Sequence, residues 1–235
     1  MSTTPTLLCV HGWGFGPGFW RPLLRHLGDW KSQTMDLGFF GPPRLEIIGN
    51  GPWIGMGHST GFLWILKHLN QEPLHSRCLG LVSLMGFSRF VRGNDFPHGV
   101  DRRILTGMQR ELGNDSNQVL DRFMALGGVN RPMAGVRAQG DEQALAMGLH
   151  WLQTWDERVT LNQWTHPWLA LAHRDDGIVT EKMTLDCFGH LPPVAAGGLQ
   201  WLEADNRERG HFLPLLTEPQ DYAATINTFL GNHFS

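Results

Sequence analysis

Short apolar runs alternate with segments whose apolar residues recur every three or four positions, and the alternation holds at both ends of the chain but not in its middle. Thr6–Val10, 53–56, 79–85, Trp168–Ala172 and 198–202 read as strands, because a continuous apolar run is what a strand buried on both faces requires. Between them, Trp20, Leu23, Leu24 and Leu27 share one helical face, and 62–69 and 218–230 carry helical patterns. Strand–helix alternation of this kind predicts an α/β fold: a mainly parallel sheet with crossover helices on both faces. The stretch 37–52 is rich in glycine and proline with no obvious helix where a crossover should lie, and reads as a contracted connection. From 87 to 165 the alternation stops, and helices are expected over 100–112, 117–126 and 141–155. The organisation that follows is a core formed by 1–86 and 166–235, with a helical cap, 87–165, inserted over it.

The candidate chemistry sits at the junctions of this pattern. Gly57-His58-Ser59-Thr60-Gly61 directly follows the apolar run 53–56. A G-x-S-x-G turn between a strand and a helix forces the serine into a strained conformation with its hydroxyl clear of the backbone, and side chains at the glycines would collide with the packed strand and helix. The first strand runs straight into His11-Gly12-Trp13-Gly14, a glycine-rich loop that can supply one backbone N–H to an oxyanion while the residue after the serine supplies the other. Those donors are the amides of Trp13 and Thr60, and losing one typically costs about 3–4 kcal/mol of transition-state stabilisation.

An activated serine needs a base, and the base needs an orienting carboxylate. The strand Trp168–Ala172 ends in His173-Arg174-Asp175-Asp176-Gly177-Ile178-Val179, and the last strand leads to Arg209-Gly210-His211-Phe212. Both loops lie at carboxyl ends of strands, where open α/β sheets bind ligands. His211 is the expected base and Asp176 the expected acid, preferred over Asp175 because a tight turn and an apolar residue follow it. Among the 12 histidines, His11 is expected to shape the oxyanion loop by hydrogen bonding and His58 to point away from the serine. His173 and His190 are the rival bases.

Composition narrows the class. A chain of 235 residues with 41% hydrophobic residues is read as one domain with an insertion, and a net charge of −3 argues against general nucleic-acid binding. Cys9, Cys78 and Cys187 read as free thiols in a reducing compartment. With no basic leader, no apolar stretch of membrane-spanning length and no metal-ligand spacing, the expectation is a cytoplasmic protein with no membrane association, no metal and no cofactor. Charge is uneven: 87–140 holds eight arginines and five acidic residues, net +3, and no lysine occurs in the cap. An arginine-rich roof suits an anionic substrate or partner; surface pairing, for example of Asp101 with nearby arginines, is the competing reading.

With these residues in view, the chain resembles the pimeloyl-[acyl-carrier protein] methyl ester esterases of biotin synthesis, in the α/β-hydrolase superfamily. The resemblance covers nearly the whole chain. It rests on His11-Gly12-Trp13-Gly14, the serine turn, Asp95-Phe96-Pro97, Asp121-Arg122-Phe123-Met124-Ala125-Leu126, Asp176-Gly177-Ile178-Val179 and Gly210-His211. It implies a serine carboxylesterase that cleaves a methyl ester from an acyl chain still attached to its carrier protein. Trp13, Thr60, Phe123, Met124, Ala125, Leu126 and Gly127 would line the acyl tunnel, and Arg122 would meet the acidic carrier. The chain departs from the family at His58 and Thr60, where relatives carry an aromatic residue and leucine, and in lacking the first hairpin. Arg131 and Arg137 match only loosely. The alternatives are a general short-chain carboxylesterase or thioesterase indifferent to the carrier, and a non-catalytic binding protein on the same fold.

Overall fold

The computed structural model describes residues 4–46, 50–72, 74–129, 140–202 and 210–234. The chain begins with strand β1 (Thr6–Val10), a single 3-10 turn, the short helix α1 (Arg21–Leu24) and strand β2 (Ser32–Met35). Strand β3 (Trp53–His58) runs into helix α2 (Thr60–Leu69), which the short helix α3 (Leu74–Arg77) joins to strand β4 (Cys78–Leu84). Three helices follow: α4 (Arg102–Leu126), α5 (Glu142–Thr154) and α6 (Arg158–Asn162). The chain then returns through β5 (Trp168–Ala172), α7 (Glu181–Phe188), β6 (Gly198–Trp201), α8 (Leu213–Thr217) and α9 (Pro219–Phe234). The six strands form one sheet in the order β2-β1-β3-β4-β5-β6, every neighbouring pair parallel.

Two apolar cores lie on the two faces of the sheet, and the strands feed them alternately. Leu8, Val10, Trp53, Leu81 and Ala170 face one side, with Leu63 and Leu66 of α2 and Met183 and Phe188 of α7. Leu7, Cys9, Ile54, Val82 and Leu169 face the other, with Leu23 of α1 and Ile226, Phe229 and Leu230 of α9. Burial on both faces is why these strands read as unbroken apolar runs rather than alternating ones. The exception is β2, Ser32-Gln33-Thr34-Met35, an edge strand with only Met35 fully buried. A strand with one solvated edge has no need of a continuous apolar run, and periodicity does not mark it.

Between β2 and β3 no helix occurs among the described residues, and the chain crosses by way of an isolated bridge between Asp36 and Arg44. The helices expected over 100–112 and 117–126 both form, joined end to end within α4 across a kink with non-helical dihedrals at Asp115 (φ −156°, ψ 90°). Asp115 breaks the first helix and caps the second by accepting the Gln118 N–H at 3.0 Å, as the polar stretch Asn114-Asp115-Ser116 favours. At the start of α4, the Asp101 carboxylate accepts the Arg103 backbone N–H at 2.9 Å; it is a helix cap rather than an arginine side-chain partner. Within the helical insertion, α4 and α5 pack on each other, and their apolar faces continue the core on the α2 side.

Candidate active site

The turn after β3 holds Ser59 at φ 52°, ψ −125°, a left-handed conformation that costs a serine of order 1–3 kcal/mol and is kept only when the surroundings enforce it. The Ser59 N–H donates to the Leu84 carbonyl at the end of β4, at 3.0 Å. Glycine is required on either side by close approach. A Cβ on Gly61 would lie 2.0 Å from the Val10 carbonyl oxygen, and one on Gly57 would lie 2.4 Å from Phe62 Cα.

The loop after β1 lies directly against this serine, since a Cβ on Gly12 would come within 3.1 Å of Ser59 Cβ. His11 pins the loop. Its Nδ1–H donates to the Gly12 carbonyl at 2.9 Å, and its Nε2 accepts the Leu37 N–H at 3.1 Å, which assigns a neutral tautomer. The amide N–H groups of Trp13 and Thr60 have no acceptor among the described residues. Thr60 opens α2, so its N–H is one of those a helix leaves unpaired at its start.

His211 and Asp176, on loops after β6 and β5, meet in the interior. The His211 Nδ1–H donates to Asp176 Oδ2 at 2.7 Å, with side-chain exposures of 0% and 1%. The other carboxylate oxygen accepts the N–H groups of Ile178 and Val179 at 2.8 and 2.9 Å, so a local turn holds the acid independently of the histidine. Asp175 is exposed. The His211 Nε2 is buried and has no hydrogen-bond partner. An imidazole with one nitrogen bound to a carboxylate and the other open has the polarity of a general base, and its bond to a nucleophile often tightens only when substrate binds.

The remaining histidines have separate engagements. His173 Nε2 is bonded to the Tyr222 hydroxyl, and burial lowers its pKa. His190 is exposed and pairs with Asn162. His58 is fully buried with its ring 4.4 Å from Phe19 and 5.1 Å from His211, and its Nε2–H donates to the His211 carbonyl at 3.4 Å. Burial, and next the charge of His211, hold its pKa well below the ordinary histidine value. Sequence reasoning gave His58 no part in the site, and nothing local signals its contact with a loop 153 residues away.

A cavity of about 360 Å³ opens between α4, α5 and the β5–α7 loop, adjoining the site through Trp13 and Gly177. Its walls include Phe90, Leu105, Met108, Phe123, Leu149 and Ile178, with Arg92, His98, Asp101 and Thr180 as the charged and polar members. The run 122–127 divides by helical periodicity. Phe123 and Leu126, three positions apart, line the cavity; Met124 is buried beneath the loop after β1, Ala125 is exposed, and Gly127 seats the Phe212 ring. Thr60 and Arg122 do not line it. Arg122 lies on the outer surface, paired with Glu111 and bonded to Gln118 at 2.6 Å. Arg89 and Arg158 are paired with Asp95 and Asp156, whereas Arg102, Arg103 and Arg110 are exposed with no ion pair among the described residues. Arg131 and Arg137 lie outside the described residues.

The three cysteines are buried and unpaired, and burial pushes the Cys78 thiol up to about 12. Among the described residues no group of three or more His, Cys, Asp or Glu could hold a metal ion, and no helix is long and apolar enough to cross a membrane.

No family model matches the chain. Curated relatives do. A pimeloyl-[acyl-carrier protein] methyl ester esterase of Stenotrophomonas maltophilia is 28% identical, over 97% of this chain and 93% of the relative. One of the same name from Photobacterium profundum is 25% identical, over 95% and 94%. In fold, the chain is similar to an esterase of Exiguobacterium antarcticum (TM-score 0.80, 15% identity, 98% of this chain and 93% of that one). It is also similar to a bromoperoxidase of Bacillus anthracis (TM-score 0.78, 15% identity, 98% and 93%). The fold is that of the α/β-hydrolases. Relatives named as esterases over nearly the whole chain, with hydrolases among its neighbours in fold, mark the chain as a carboxylic ester hydrolase.

Proposed function

We propose that the protein is a serine carboxylesterase that removes the methyl ester from a pimeloyl chain carried on acyl-carrier protein, with Ser59, His211 and Asp176 as its catalytic residues. The observation that carries the chemistry is the buried His211, bonded through Nδ1 to Asp176 and open at Nε2. The substrate reading draws its support from the curated relatives of that name, and the mainly apolar cavity beside Trp13 suits a hydrocarbon chain.

In this mechanism Ser59 Oγ attacks the ester carbonyl as His211 Nε2 takes its proton, and Asp176 stabilises the imidazolium. The amides of Trp13 and Thr60 receive the oxyanion. Collapse of the tetrahedral adduct breaks the acyl–oxygen bond, and the imidazolium gives its proton to the leaving methoxide, so methanol departs and the acyl group stays on Ser59. Water, deprotonated by His211, then attacks the acyl-enzyme. The second collapse returns the proton to Ser59 and frees the acid. The sum is ester plus water to acid plus methanol, with no cofactor.

The test compares turnover of methyl-pimeloyl carrier protein with that of the free methyl ester of the same acid. A strong preference for the carrier-bound ester is expected. Equal or better turnover of the free ester replaces this reading with a general carboxylesterase. Ser59→Ala is expected to abolish turnover of both substrates and labelling by a fluorophosphonate; appreciable turnover by that variant removes the serine mechanism.

A further inference from the structure

Trp13 is bound to the molecule from two directions. Its backbone belongs to the oxyanion loop, but its side chain leaves the core for the helical insertion. The indole Nε1–H donates to the Leu145 carbonyl at 2.9 Å, a group 132 positions away, inside α5. A carbonyl within a helix has a second lone pair beyond the one its helical partner uses, so this bond costs α5 nothing. One turn further along, Gly148 makes the approach possible: a Cβ there would lie 2.6 Å from Trp13 Cδ1 and 2.9 Å from the Phe39 ring. Phe123 of α4 closes another side, edge-on to the indole at 4.9 Å. The start of α5 is itself tied to the core by the Asp141 N–H, which donates to the Phe39 carbonyl at 2.8 Å.

The Gly12 carbonyl, on the same peptide as the Trp13 N–H, is held by the His11 Nδ1–H at 2.9 Å and the Phe15 N–H at 3.4 Å. Beyond that peptide the loop has little stiffness of its own: Trp13 stands between Gly12 and Gly14, and Gly14 has φ 73°. An oxyanion donor works only when aimed in advance at the place where charge develops. On the Cα side, the anchor for that aim is the buried Trp13 side chain, and what it is anchored to is the insertion.

We infer that α5 positions the Trp13 amide through the indole–Leu145 bond and the Gly148 notch, so that the oxyanion donor is competent only while the helical insertion is seated on the core. This deepens the acyl-transfer reading and rests on it. Trp13 side-chain chemistry acts here through its own backbone rather than on substrate, and anything that lifts or presses α5 changes turnover without touching Ser59.

The experiment uses the full chain and p-nitrophenyl esters from acetyl to octanoyl. Trp13→Phe keeps an aromatic wall and removes the N–H. Since deleting a whole oxyanion donor lowers kcat by about 100- to 1,000-fold, misaiming one is expected to lower it by about tenfold or more. The loss should appear in kcat, with KM nearly unchanged, and be equal for acetyl and octanoyl esters. A side chain that only lined the cavity would instead raise KM, and more so for the longer chain. Gly148→Ala pushes on the same indole from α5 and is expected to lower kcat on the acetyl ester as well, with a double variant no worse than the poorer single one. Unchanged kcat in Trp13→Phe, a loss confined to KM of long esters, or losses that multiply in the double variant would each overturn the inference. Should Trp13→Phe not fold, Gly148→Ala alone decides: wild-type kcat on the acetyl ester sinks it. A wild-type protein inert to every ester and to a fluorophosphonate overturns the hydrolase reading, and this inference with it. An active wild type with an equally active Trp13→Phe overturns only the inference.

Discussion

Two carboxylate-centred regions of this molecule use the same acceptor chemistry in opposite ways. At the strand ends, Asp176 and His211 form one buried pair: Oδ2 and Nδ1 bind each other, Oδ1 takes two backbone N–H groups, and the remaining nitrogen is left open. At the neck of the insertion, Arg89 and Arg158 share Asp95 and Asp156 between them and hold the Phe96 ring beneath both guanidiniums, at 5.8 and 5.6 Å. There the chain entering the insertion also meets the chain leaving it, through the Arg89–Asp156 bridge and the Glu157 N–H to the Ser88 carbonyl at 2.7 Å. The buried pair has no substitute for either member, and removing one member of such a pair leaves a desolvated polar group, at about 3–5 kcal/mol. The neck has duplicate partners, water within reach and backbone bonds in parallel. In the proposed mechanism, burial without substitutes serves reaction geometry, and redundancy serves attachment.

The widest contrast is expected from Asp176→Asn. It preserves shape while disturbing the tautomer of His211, and under the proposed mechanism kcat should fall by about four orders of magnitude, as it does when the acid of a Ser-His-Asp triad is changed to asparagine. Steady-state kinetics check this, and a loss under tenfold would break the assigned role. Next comes the surface of the insertion. Arg122→Glu reverses an exposed charge, and KM for carrier-bound ester should rise by about tenfold while a small free ester is unaffected. Equal effects on both substrates would argue against a docking role.

Smaller, and on stability rather than rate, is the response to acid. Burial holds His58 and His173 below the ordinary value near 6.5, so at lower pH the unfolded chain binds protons that the folded protein excludes. Melting temperature is therefore expected to be insensitive to these two groups above pH 6.5 and to fall as pH drops below it. His58→Gln should flatten that fall in calorimetry, and an unchanged slope would remove His58 as its source. Asp95→Asn should do least, moving the melting temperature by no more than about one or two degrees because the pair is solvated and duplicated. A large drop would mean that the neck depends on Asp95 alone.

These regions also differ in how far they can be read from the chain. The serine turn and the Asp176-Gly177-Ile178-Val179 turn are local: their glycines, their acid and the apolar run before each lie within a few positions, and steric exclusion acts at that range. The same holds for strands buried on both faces. Edge strand β2 has only one fully buried residue, and its sequence does not announce it. Both helices of α4 are legible, because the polar break at Asn114-Asp115-Ser116 is local; that they meet at a kink with no loop between them is not, since it depends on what the second helix packs against. The arginine excess is visible in composition, yet Arg89 pairs at the neck and Arg92 lines the cavity, and spacing distinguishes neither.

The α/β order of elements, the strained serine between glycines and the two loops that carry Asp176 and His211 can be read from the order of residues, because hydrophobic period and backbone sterics act between near neighbours. That His211 bonds Asp176 across 35 positions, that His58 lies against His211, that Phe123 rather than Met124 faces the cavity, and that Trp13 is tethered to Leu145 come from packing at long range. Each of those depends on which faces meet when distant segments pack, and a side chain's partner is chosen by that packing rather than by the residues beside it.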